Sequence, residues 1–178
     1  MQTSDSDGPF RPVSMVVLGL LETVGPQTSY ELWRNVELSV SFFWSVARSQ
    51  LYAEPQRLEG LGLVTSTQET SGRRRRVFAI TRDGREALLD WLGQQPGAAQ
   101  YYDPAMLRLF FTDAAPDLVA PLAQRRVEEL IEMLDFLEQP GLGGTQPNHR
   151  RVLSWGRLTV RADLAFWRSV LDDLEGDS

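Results

Sequence analysis

The sequence predicts a mainly α-helical fold that contains one small β-hairpin. Three short helical segments fit within residues 14–61, and two segments rich in Thr, Val, Phe and Ile follow directly. Beyond residue 103, apolar residues recur at helical spacing over long stretches. Three helices followed by a hairpin are typical of a winged helix-turn-helix domain, which we expect at residues 14–95. The same pattern predicts a helical domain at residues 96–178 and a flexible polar tail at residues 1–13.

The composition restricts the classes of function. The chain has 178 residues, 42% of them hydrophobic, and no cysteine, which excludes disulfides, thiol nucleophiles and cysteine metal sites. The apolar run at residues 15–21 is far shorter than the ~20 residues that cross a bilayer. No basic leader precedes a cleavable apolar segment. We therefore expect a cytoplasmic protein with no membrane partner.

Charge is distributed unevenly along the chain. The net charge is −6, which taken alone argues against a nucleic-acid partner. Residues 1–95 carry 10 Arg against 11 acidic residues, whereas residues 96–178 carry 8 Arg against 13 acidic residues. The only basic run, Arg73–Arg76, lies in the more balanced half. A local basic patch binds phosphate even when the rest of the molecule is acidic.

The first two helices are predicted from their capping residues. Ser14 is the expected N-cap of an apolar helix that ends near residue 22, and Gly25-Pro26 predicts a turn. Thr28 or Ser29 is expected to cap the second helix, in which Tyr30 is one of the apolar contacts. The third helix, residues 49–61, completes the set.

The third helix is amphipathic, and two interpretations of it remain open. Leu51, Leu58 and Leu61 share one face at helical spacing, and Gly60 and Gly62 end the helix. It is either an ordinary amphipathic surface helix or a helix that reads DNA bases. The second interpretation rests on its other face, whose side chains can bind bases and phosphates and carry no negative charge. That polar face consists of Arg48, Ser49, Gln50, Tyr52, Gln56 and Arg57.

The hairpin that follows carries the basic run. Residues 64–68 and 74–80 are predicted strands, residues 69–72 are the turn, and Thr81 caps a helix over residues 82–93. Arg73, Arg74, Arg75 and Arg76 therefore lie near the hairpin tip. Adjacent like charges repel unless an anion binds them, which favours phosphate contact. The alternative is a solvated run of charge.

These segments together resemble the PadR family of winged helix-turn-helix transcriptional regulators. The matching segments are VLGLLETVGPQTSYEL, FFWSVARSQLYAEPQRLEGLGLV, SGRRRRVFAITRDGREALLDWL, MLRLFFTD and RADLAFWRSVLDDLE, which span roughly residues 14–174. The family often has Pro directly after the Tyr of the third helix, where this chain has Ala53 and places Pro55 two positions later. The resemblance implies a homodimer, a double-stranded DNA partner and a small hydrophobic or phenolic effector.

The C-terminal region is expected to form the dimer. Helices are predicted over residues 104–112, 114–138 and 148–175, the last roughly 40 Å long. The last helix carries two apolar stripes. We expect one stripe to pack against a helix of its own chain and the other to pack against a second copy. The alternative is that its own chain covers the whole helix. The expected dimerisation residues are Trp155, Leu158, Leu164, Trp167, Leu171 and Leu174.

The sequence predicts no enzyme and no cofactor. The lone histidine, His149, lies at a helix start without Cys or clustered carboxylates, which makes a poor metal site. Trp91, Trp155 and Trp167 are candidates to line an effector cavity, although ordinary core packing also explains them. The leading hypothesis is a homodimeric DNA-binding repressor with a palindromic operator. The alternative is a small-molecule sensor or helical interaction protein that has lost DNA binding.

Overall fold

The computed structural model describes residues 11–68, 75–99, 101–142 and 146–176. The chain divides into two compact units, Met1–Pro96 and Gly97–Ser178. Most of the predicted tail, residues 1–10, lies outside the described residues. Helix α1 begins at Pro12, so Pro12 and Val13 belong to a helix, and the side chain of Val13 is buried.

Three helices open the first unit: α1 at Pro12–Thr23, α2 at Ser29–Glu37 and α3 at Arg48–Gly60. The predicted cap of α1 is wrong, because Arg11 is the N-cap and Ser14 is the third residue of the helix. Proline is favoured at the first helical position, and Pro12 starts α1 two residues before Ser14. Thr28 caps α2 as expected, and its own N–H donates to the Glu31 carboxylate at 2.8 Å, which forms a capping box.

The sheet of the first unit has three antiparallel strands: β1 at Gln27–Thr28, β2 at Val64–Gln68 and β3 at Arg76–Ile80. Strand β3 lies in the middle and pairs with both neighbours. The hairpin of β2 and β3 was predicted, whereas β1 was not, because two residues are too few to show an alternating pattern. The predicted turn lies within residues 69–74, outside the described residues.

A single apolar core joins these elements to helix α4, Arg82–Gly93, which Thr81 caps as predicted. Leu61 was expected on the buried face of α3, but it lies beyond the last helical residue and is exposed. Gly84 packs so tightly that a Cβ there would lie 2.0 Å from the Leu63 carbonyl oxygen. The core side chains that are almost fully buried include Val17, Leu18, Leu32, Leu51, Leu58 and Phe78.

The second unit is wholly helical in the part that is described. Helix α5 spans Pro104–Phe111, two single 3-10 turns cover Thr112–Ala114 and Pro116–Leu118, and α6 and α7 span Val119–Glu138 and Pro147–Gly176. Helix α6 starts later than predicted, because the 3-10 turns occupy residues 112–118. Helix α7 packs along α6 through a core that contains Ala123, Leu130, Leu164 and Trp167. Among the described helices, none is both long and apolar enough to span a bilayer.

Candidate nucleic-acid interface

Helix α3 has a buried face and a polar exposed face. Its buried side chains are Leu51, Glu54, Pro55 and Leu58, at the i, i+3, i+4, i+7 spacing of one helical face. The opposite face therefore points to solvent and exposes Ser49, Gln50 and Gln56, while Tyr52 is half-buried. These neutral donors and acceptors suit hydrogen bonds to base edges.

The start of α3 carries a positive charge that aromatic rings hold in place. The guanidinium carbon of Arg48 lies 4.3 Å from the centroid of the Trp33 ring and 5.5 Å from that of Tyr52. Tyr30 lies against Trp33 with 5.7 Å between ring centroids, and its own side chain is exposed. Cation–π contacts restrict Arg48 without neutralising it. A fixed cation beside a helix N-terminus, where the helix dipole is positive, is an arrangement that binds phosphate.

Sequence reasoning missed the part that Trp33 takes in this arrangement. Its contact with Arg48 joins residues 15 positions apart in two different helices, which no local spacing indicates. The i, i+4 spacing of Arg48 and Tyr52 was the one local signal available. A continuous surface is thus formed by Tyr30, Trp33, Arg48 and Tyr52.

The structure corrects the expected role of Arg57. Its Nε donates to both carboxylate oxygens of Glu54 at 3.1 Å, and its Nη2 donates to Glu54 Oε1 at 2.6 Å and to Ser14 Oγ at 2.9 Å. The hydrogen bond with Glu54 raises the pKa of Arg57 above its ordinary value. Glu54 is buried and the Arg57 side chain is 32% exposed, so the ion pair draws a partly exposed guanidinium toward the buried face of α3. We therefore leave Arg57 out of the proposed base contacts.

The basic run of the hairpin is only partly described. Arg73 and Arg74 lie outside the described residues, so their predicted contacts stay predictions. Arg76 forms an ion pair with Glu59, donates to Ser66 Oγ at 2.8 Å and lies over the Phe78 ring at 5.3 Å. These contacts hold Arg76 against the base of the hairpin and give it a structural role.

Arg75 lies close enough to α2 to influence it. The pKa of Glu31 is lowered, chiefly by the hydrogen bond from the Thr28 backbone, and the positive charge of Arg75 contributes. Arg75 is exposed, so its charge also reaches the solvent beside α2. The β2–β3 hairpin, which we call the wing, thus places a positive charge near the negative Glu31 at the start of α2.

The expected dimerisation residues of α7 divide into two groups. Leu164 and Trp167 are buried against α6, so the structure corrects their assignment: they form the core of the second unit and are not accessible to a second copy. Trp155 and Leu158 are 54% and 64% exposed. Leu171 is half-buried and packs against the core, and Leu174 is 37% exposed. The stripe that starts at Trp155 is therefore the uncovered one.

The three tryptophans predicted to line an effector cavity differ in their burial. Trp167 is a core residue, while Trp91 and Trp155 expose about half of their side chains. An open cavity of about 450 Å³ does occur in the second unit, and none of the three lines it. Its lining is mostly apolar and consists of Leu107, Arg108, Phe111, Thr112, Ala115, Leu118 and Leu122. In the described part of the chain, no group of three or more His, Asp or Glu could hold a metal ion.

The fold and this surface define a class of protein. Three helices, the third of which has an exposed polar face, and an antiparallel hairpin form a winged helix-turn-helix domain, the fold that the sequence predicted. Residues 17–90 match the family described as "Transcriptional regulator PadR-like family", and the predicted resemblance is confirmed. The first unit therefore contains a PadR-like domain at residues 17–90, and the prediction that the chain is not an enzyme agrees with the transcriptional regulators of that family.

Three known proteins and structures show the extent of the similarity. The "Negative transcriptional regulator PadR" of Bacillus subtilis (strain 168) is 28% identical over 137 residues, which cover 72% of this chain and 75% of that protein. The structure of Bacillus subtilis PadR with operator DNA matches with a TM-score of 0.78 at 22% identity, over 92% of this chain and 99% of that one. Its complex with p-coumaric acid matches with a TM-score of 0.67 at 23% identity, over 93% and 98%.

Proposed function

We propose that this chain is a homodimeric repressor that binds a palindromic operator in the cytoplasm. The observation that carries the proposal is the exposed polar face of α3, with Arg48 fixed beside it by Trp33 and Tyr52. Gln50 and Gln56 are the proposed base contacts, Ser49 supports them, and the arginines of the wing contact the flanking backbone. A negative regulator of the same family in Bacillus subtilis, solved with operator DNA, supports the proposal.

The uncovered stripe of α7 supports a dimer. Trp155, Leu158, Ala162 and Ala165 are exposed and follow one another at helical spacing, on a helix whose other stripe is already buried against α6. Exposed large apolar side chains in one line are typical of a protein interface. A two-fold axis through such an interface would present two copies of α3, which would read half-sites about 34 Å apart. The palindromic operator follows from that symmetry.

A small hydrophobic or phenolic effector is the second partner that we propose. The open cavity of about 450 Å³ is apolar except for Arg108 and Thr112, which suits an aromatic ligand with one acidic group. A structure of Bacillus subtilis PadR contains p-coumaric acid, a ligand of this chemistry. The test is binding of p-coumaric acid to the wild type and to a Leu118→Glu variant. Loss of binding in the variant alone supports this cavity, and equal binding in both places the ligand elsewhere.

The function itself is tested by selecting DNA from a random pool with the purified protein. The proposal predicts enrichment of one palindromic sequence, which Gln50→Ala should relax at one position of each half-site at a cost of about 1–3 kcal/mol of discrimination. The matched control is Gln124→Ala, which removes an exposed glutamine from α6 and should leave the selected sequence unchanged. Failure of the wild type to enrich any sequence would favour a sensor or interaction protein that does not bind DNA.

A further inference from the structure

A buried polar cluster lies between α1 and the recognition helix. It consists of Ser14, Glu54 and Arg57, and we call it the α1–α3 clamp. The Ser14 hydroxyl donates to Glu54 Oε1 at 2.6 Å and accepts from Arg57 Nη2 at 2.9 Å and from the Arg11 backbone N–H at 3.0 Å. Ser14 and Glu54 are 0% and 3% exposed. The clamp therefore links the two helices inside the unit, on the side of α3 opposite its polar face.

The clamp spans a discontinuity in the backbone hydrogen bonds of α3. Pro55 lies inside the helix and has no N–H, so the carbonyl of Leu51 cannot receive the usual bond from four residues later. The segment before this gap, Arg48–Tyr52, carries most of the proposed DNA contacts. Glu54 precedes the proline and Arg57 follows it, so their ion pair connects the two sides of the gap.

We propose that the α1–α3 clamp sets the direction in which the first turns of α3 face DNA, which makes Ser14, Glu54 and Arg57 positioning residues for base recognition. This inference rests on the proposed function. Apolar side chains at these positions would pack α3 on α1 at less desolvation cost, but they would not fix its rotation. Directed hydrogen bonds do fix it, and base reading requires that the contacting side chains be placed with little error.

The clamp also accounts for the presence of a glutamate at a buried position of α3. A carboxylate on the exposed face would repel phosphate, whereas Glu54 is paired with Arg57 and directed toward α1. The negative charge therefore stays away from the DNA side. Arg57, the partner of Glu54 in the ion pair, is therefore not available to contact bases.

The decisive variant is Ser14→Ala. Ser14 is fully buried and lies in α1, so it cannot contact DNA itself, and its removal breaks the link between the helices. We expect the ratio of affinities for the selected operator and for a scrambled duplex to fall by about fivefold or more. Affinity for the scrambled duplex and its salt dependence should stay unchanged, because the exposed cations are retained. Amide hydrogen exchange of residues 48–52 should become faster.

The matched control is Arg85→Met, which removes another ion pair of α1, that of Arg85 with Glu22 at 2.9 Å, without touching α3. It should change neither the affinity ratio nor the exchange of residues 48–52. Thermal unfolding of each variant establishes that it is folded. Glu54→Gln replaces Ser14→Ala if the latter does not fold, and failure of both to fold would show that the cluster is required for folding rather than for positioning.

The outcomes separate this inference from the function on which it rests. If the wild type selects an operator and the folded Ser14→Ala variant retains both the affinity ratio and the exchange rates, the clamp does not position α3. If the wild type selects no DNA, the proposed function is wrong and the positioning role is wrong with it. A fall in the ratio for Arg57→Met alone, with Ser14→Ala unaffected, would return Arg57 to the base readers.

Discussion

Substitution of Gly84 by alanine should destabilise the winged-helix unit. Gly84 is the third residue of α4, and an added Cβ would lie 2.0 Å from the Leu63 carbonyl oxygen and 2.9 Å from Ile80 Cγ1. The Leu63 oxygen cannot move freely, because it accepts a hydrogen bond from the Thr81 N–H at 3.0 Å. The added methyl group must therefore displace α4 from the junction of α3 and the wing.

The magnitude follows from two opposing effects. An ordinary contact begins near 3.4 Å, so the Cβ and the oxygen must separate by about 1.4 Å. Forcing a methyl group into a packed site costs about 1–3 kcal/mol, and a backbone contact this short belongs at the upper end. Alanine regains about 1 kcal/mol through its better helix propensity. The net expectation is a free energy of unfolding lower by about 2 kcal/mol.

The assay is urea unfolding followed by circular dichroism, with Gly19→Ala as the matched control. Gly19 lies inside α1, and nothing lies within 4 Å of the Cβ that alanine would add. The control should therefore raise the midpoint, by about 0.5–1 kcal/mol in free energy, with the slope unchanged. If Gly84→Ala stabilises the protein as Gly19→Ala does, the packing argument at the base of the wing is refuted.

Three further predictions concern charge and assembly. The lowered pKa of Glu31 stabilises the fold above the ordinary value of 4.5, and this stabilisation is lost as pH falls through the lowered pKa. The stability of Glu31→Gln should therefore fall less steeply than that of wild type in acid titration. Leu158→Glu should convert the proposed dimer to a monomer in sedimentation experiments, and an unchanged mass would exclude this stripe as the interface. Replacing Arg73–Arg75 by alanine should weaken binding to all DNA and reduce the log–log salt slope by about one unit per lost phosphate contact, and an unchanged slope would show that the wing does not touch phosphate.

The sequence correctly predicted the elements whose ends are set by neighbouring residues. The caps at Thr28 and Thr81, the end of α3 at Gly60 and the strand at residues 64–68 were all predictable from neighbouring residues. Strand β1 was not, because its two residues become a strand only through pairing with β3, about fifty positions later.

The direction in which a side chain points was the main property that the sequence did not predict. Arg57 is polar and lies on the recognition helix, yet it turns toward α1 because Glu54 and Ser14 accept its hydrogen bonds. Trp155 and Trp167 lie on one helix and were both expected at the dimer interface, but only the packing of α7 on α6 decides that Trp167 is buried. The hydrogen bond of Arg57 with Ser14 and the burial of Trp167 depend on contacts between residues distant in sequence, whereas the pairing of Arg57 with Glu54 is local.

The short strand β1 connects the base of the wing to α2. Gln27 and Thr28 pair with Phe78 and Val77 of the middle strand, and Thr28 is also the cap of α2. The base of the wing is thereby fixed to the helix that carries Trp33, and the last described pair of β2 with β3 is Gln68 with Arg76. Changes in the segment between those two positions would therefore leave this attachment, and the contact of Trp33 with Arg48, in place.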